Sequence, residues 1–185
     1  MSVGQSLIVE LEEAIEGGSK EKRVDAFRRV TDLFVADADR LTDQQIEVFD
    51  DILGHLIKRI ESKALAELSR RLGPIHNAPI EVVRRLARDN NISVAEPVLS
   101  TSLRLSEGDL IEIASSKTQA HLMAISARPR LAAPVTDILQ QRGRQDVFHA
   151  LAGNSGARFT ARGFRDAGAA GRRRRAACGK NRASA

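Results

Sequence analysis

The chain contains no tryptophan, no tyrosine and a single cysteine, Cys178. A lone thiol cannot build a disulfide framework, which fits a reducing compartment and makes the cytoplasm the expected location. Missing Trp and Tyr removes most of the aromatic platforms on which unpaired bases stack. Strand-forming aromatics are scarce, which favours helices. No apolar run approaches the roughly 18–20 residues that span a bilayer. The opening "MSVGQSLIVELEEAIEGG" lacks the basic start and long apolar stretch of a secretory signal. Paired Cys/His spacings, HExxH, GxSxG, GxGxxG and the P-loop pattern are all missing, so no motif points to a metal, a nucleophile or a nucleotide.

What is present is helical rhythm. Hydrophobic residues make up 42% of 185 positions, enough for a core without staples. Val3, Leu7, Leu11, Ala14 and Ile15 form one stripe, stopped by Gly17-Gly18. Val24, Phe27, Val30, Leu33 and Phe34 form a second. Thr42-Asp-Gln-Gln45 has the form of a capping box before Ile46, Phe49, Leu53, Leu56 and Ile57. Leu65, Leu68 and Leu72 extend that face to Gly73-Pro74. Residues 1–74 thus predict long helices.

From residue 75 the helices shorten. Pro79 suits a helix start. Ser93-Val-Ala-Glu96 predicts a second capping box that puts Pro97 in an opening turn, where its missing N–H does least harm. Ser106 predicts a third start, Thr118 and Pro134 two more, and Asp146–Leu151 the last clear helix.

A faint repeat links these short helices. "LARDNNIS" at Leu86, "ISARPRLA" at Ile125 and "LAGNSGARFT" at Leu151 each end a helix on an apolar anchor and pass a polar corner. Each regains a small or apolar residue six positions on, at Ile92, Leu131 and Ala157. Helix pairs recurring this way predict an all-α fold, long N-terminal helices followed by short stacked hairpins in an α-solenoid of HEAT-like kind.

The stretches "VVRRLARDNNISVAEPVLSTS", "LIEIASSKTQAHLMAISARPRLAAPVTDILQQRG" and "VFHALAGNSGARFT" resemble the bacterial domain of unknown function family 2336, over about residues 65–164. The resemblance implies a helical-repeat fold over residues 1–164 and carries no activity, cofactor or site residue with it. After Phe164 the text departs from that pattern, with no aliphatic residue larger than alanine. Residues 161–185 hold eight of the 29 basic residues and one of the 24 acidic ones, so the rest of the chain is slightly acidic despite a net charge of +5. Arg/Ala/Gly-rich text of this kind is what a GC-rich gene yields in a wrong frame. A frameshifted or truncated terminus is expected for 165–185, with a genuine basic arm for nucleic acid or an acidic membrane as the alternative.

Candidate chemistry gives way to plainer readings. His55 reads as a helix-edge residue and His121 as a first-turn surface group. The acid pairs Glu12-Glu13, Asp37/Asp39 and Asp50-Asp51 read as solvated helix faces, and Gly153-Asn-Ser-Gly156 as a helix stop. Catalytic, cofactor and metal residues are expected to be none. The remaining candidate is a partner surface at the corners, Arg84, Arg88 and Asp89 in the first and Arg128 and Arg130 in the second. The expected function is a non-enzymatic scaffold for an unknown protein partner. Nucleic-acid binding through the tail or a HEAT-like groove is one alternative, and a small-molecule sensor is another. Self-association is expected if the last helix leaves an apolar face open.

Overall fold

The structure is a computed structural model that describes residues 19–160. The expected stripe at Val3–Ile15 and the basic segment 165–185 lie outside the described residues. Among those residues the fold is all-helical; the one extended pairing is an isolated bridge between Leu131 and Ala157. The chain divides into two compact units after Ser106.

The first unit begins with α1, Lys20–Asp37, whose cap Ser19 accepts the backbone N–H of Lys22. A 3-10 turn, Ala38–Arg40, leads to α2, Asp43–Leu56. The Thr42–Gln45 capping box is present: Thr42 N–H donates to Gln45 Oε1 at 2.9 Å and Gln45 N–H to Thr42 Oγ1 at 3.4 Å. Phe34 of α1 meets Phe49 of α2 edge-on, with ring centroids 5.3 Å apart, a geometry that aromatic quadrupoles favour. A second 3-10 turn, Ile57–Arg59, separates α2 from α3, Ser62–Leu72. The apolar face running from Ile46 to Leu72 is therefore carried by two helices.

The helices α4, Ile80–Ala87, and α5, Ile92–Thr101, complete this unit. Their chief partners are not only each other: α5 packs on α3, and α4 on α2. The change of rhythm after residue 74 is thus a change of helix length within one core. Val82, Val83, Leu86, Val94, Val98 and Leu99 are buried there, and full burial of each aliphatic side chain contributes about 1.5–3 kcal/mol. Gly73, after α3, sits where a Cβ would lie 2.3 Å from Thr101 Oγ1 and 3.2 Å from the Pro97 carbonyl oxygen, so α3 and α5 approach closely there and a larger residue would have to displace the threonine hydroxyl.

Two sequence expectations are corrected in α5. The helix starts at Ile92, not after Ser93, because Asn91 Oδ1 accepts the Ser93 N–H at 3.1 Å and caps it. Asparagine is as good a cap as serine, and it occurs two positions earlier. Pro97 therefore lies inside the helix rather than in its opening turn. It leaves the Ser93 carbonyl without the usual donor four residues on.

The second unit comprises α6, Glu107–Ser116; α7, Gln119–Ser126; α8, Ala133–Arg142; and α9, Gln145–Gly153. Here α6 packs mainly on α8, and α7 on α9. Each helix thus meets the one two places along, as α2–α4 and α3–α5 do in the first unit. Two successive hairpins lie side by side. Ile113, Leu122, Ile125, Val135, Leu139, Val147 and Leu151 form the core between them.

Side chains tie the hairpin ends. The Arg142 guanidinium donates to the Ala114 carbonyl at the end of α6. Gln119 Nε2 donates to the Arg142 carbonyl at 2.8 Å, while its Oε1 accepts the Arg144 N–H at 2.8 Å. A cation on the last carbonyls of a helix also complements its dipole. His121 is fully buried in α7, with Nδ1 2.8 Å from Thr118 Oγ1, so the first-turn surface position expected for it is wrong. The helix is covered on that side by its neighbours, a tertiary effect that local pattern does not carry.

Candidate functional site

The three corners that break the sequence rhythm are built differently. In the first, Asp89 follows the end of α4, and its Oδ1 accepts the Asn91 N–H at 2.7 Å. Asn91 in turn caps α5. The Arg-Asp-Asn-Asn knot is therefore a relay of two side-chain caps that turns the chain, a use to which Asp and Asn are suited. Arg84 is half-buried and pairs with Glu81 at 2.6 Å, three residues back on the same helix. Arg88 is half-buried, with Nη1 3.5 Å from the Arg84 carbonyl. Arg85, between them, is exposed.

In the second corner, between α7 and α8, the two candidate arginines part company. Arg130 is exposed. Arg128 is only 8% exposed, and burial lowers its guanidinium pKa. It belongs to the interior, so the expected surface loses this member. Its own carbonyl and that of Ser126 accept the two bonds donated by Asn154 Nδ2, at 2.7 and 2.9 Å.

Asn154 belongs to the third corner, after α9. Its Oδ1 accepts the Gly156 N–H at 2.9 Å. Leu131 N–H then donates to the Gly156 carbonyl at 3.1 Å, and Arg158 N–H to the Leu131 carbonyl at 3.0 Å. A Cβ on Gly156 would lie 1.8 Å from the Pro129 oxygen, so only glycine lets the two corners touch. The helix stop at 153–156 is real, and the same residues also clamp the preceding corner.

These findings place Arg84, Arg88 and Asp89 in the first unit and Arg128 and Arg130 in the second. The structure brings corners two and three together. Arg158 is not singled out in the sequence, and Asn154 is read there only as part of a helix stop, not as a clamp on the preceding corner. An asparagine directly after a helix stop and two residues before a glycine was the available signal.

Acidic and imidazole groups are mostly occupied structurally. Asp50, expected on a solvated face, instead accepts the backbone N–H groups of Glu81 at 2.9 Å and Val82 at 2.8 Å, capping α4 from a neighbouring helix. His55 Nδ1 lies 2.8 Å from the Asp51 carbonyl, and His76 pairs with Asp39 at 3.7 Å on the surface. Among the described residues, no group of three His, Cys, Asp or Glu side chains could hold a metal ion. No helix among them is long and apolar enough to cross a membrane.

A cleft between α1 and α3 has a floor of Phe27, Thr31, Ala64 and Leu68. Ion pairs Arg71–Asp32 at 2.6 Å and Arg28–Glu67 at 4.0 Å link the two helices beside it. The cleft encloses only about 10 Å³, against the roughly 300–1,000 Å³ usual for small-molecule pockets.

Residues 94–180 match the family model described as an uncharacterised protein conserved in bacteria, domain of unknown function 2336. This is the family that the corner motifs resemble. The match runs past Phe164, through Arg172–Arg175, into text expected to have left the family pattern. Neither a curated protein nor a solved structure matches the chain.

Proposed function

We propose that this chain, whose residues 94–180 fall in an uncharacterised bacterial family, is a HEAT-like scaffold that presents its corners to a protein partner and catalyses no reaction. The observation that supports the reading is the pairing of each helix with the one two places along, in both units, with corner backbones held by Asp89, Asn91 and Asn154. Such pairing is how helical repeats bury faces that a single hairpin cannot. Corners fixed in this way lose little entropy on binding, which favours recognition by their exposed side chains. Arg85 in the last turn of α4, Arg130 in the second corner and Arg158 in the third are exposed cations, and they suit an acidic partner. A cytoplasmic location belongs to the same reading, supported by the single cysteine.

The apolar face expected at the last helix is not seen. α9 exposes Gln145, Asp146, His149 and Ala152, and the exposed large hydrophobics among the described residues are Leu33, Val48 and Leu103, all in the first unit. Self-association through α9 is therefore not part of this proposal.

Affinity capture from the native host tests it, comparing the wild-type chain with Arg85→Glu and Arg130→Glu. A partner that binds the purified wild-type chain in calorimetry and loses at least about tenfold in affinity to one of these variants supports the surface. Retention of every specific partner by both variants overturns it.

A further inference from the structure

We draw no further inference here: the strongest candidate, the apolar surface that the α1–α2 hairpin exposes at Leu33 and Val48, carries nothing because nothing in the structure shows what covers it.

Discussion

The Asp50 carboxylate in α2 accepts the backbone N–H of Val82 at 2.8 Å, in the first turn of α4. Its other oxygen takes the Glu81 N–H at 2.9 Å. Two of the amides that a helix start leaves unpaired are thus satisfied from a different helix, and a carboxylate is the favourable sign at that end of the dipole. Asp50→Ala should cost about 1–3 kcal/mol, read as a lower urea midpoint at unchanged m-value. Asp50→Asn, which keeps one acceptor, should cost less. Equal midpoints for wild type and Asp50→Ala would mean that water replaces the cap without loss.

Asn154 offers a sharper sign. Its side-chain nitrogen donates to two carbonyl oxygens, those of Ser126 and Arg128. Asn154→Asp keeps the size but turns the donor into a carboxylate facing those oxygens. Asn154→Ala only removes the bonds. The aspartate variant should therefore be the less stable of the two near neutral pH, with the alanine variant about 1–3 kcal/mol below wild type. Thermal melts of the three proteins check the order.

How much of this was legible is clearest at the corners. Leu86, Ile125 and Leu151, picked as helix-ending anchors, are at most 2% exposed. The rule that an apolar or small residue returns six positions later selected Leu131 and Ala157, the two residues that form the bridge. Periodicity could find them because burial is a property of a whole face. The Thr42–Gln45 box was equally legible, since both its partners are local. What sequence order could not show were partners far along the chain: Asp50 on α4, Asn154 on the preceding corner, and the neighbours that bury His121 and Arg128. Asp50 and Arg128 read as surface because their side chains are charged, and only the fold shows what lies beside them.

Glycine positions give a paired prediction of opposite sign. Gly54 lies inside α2, and a Cβ there would meet nothing within 4 Å. Gly54→Ala should stabilise the chain by about 0.5–1 kcal/mol through helix propensity alone. At Gly156 the added Cβ would overlap the Pro129 carbonyl, which is backbone and cannot rotate away. Gly156→Ala should destabilise by several times the Gly54 gain and loosen the Leu131 and Arg158 amides, seen as faster hydrogen exchange at both.

The lacing of α6–α7 to α8–α9 can be tested as a unit. Arg142 reaches the Ala114 carbonyl by its side chain, while its own carbonyl receives the Gln119 amide. Arg142→Ala leaves that carbonyl in place, so a bond-by-bond sum predicts independent losses for Arg142→Ala and Gln119→Ala, about 1 kcal/mol each. The two bonds nevertheless position the same turn, because Gln119 also holds the Arg144 N–H at 2.8 Å. Releasing one should let the turn drift and weaken the other. The double variant should then lose less than the sum, by about 0.5–1 kcal/mol. Strict additivity in urea unfolding would show that each bond acts on a backbone already held by the Val135, Leu139 and Val147 packing, and that the side chains decorate the turn without setting it.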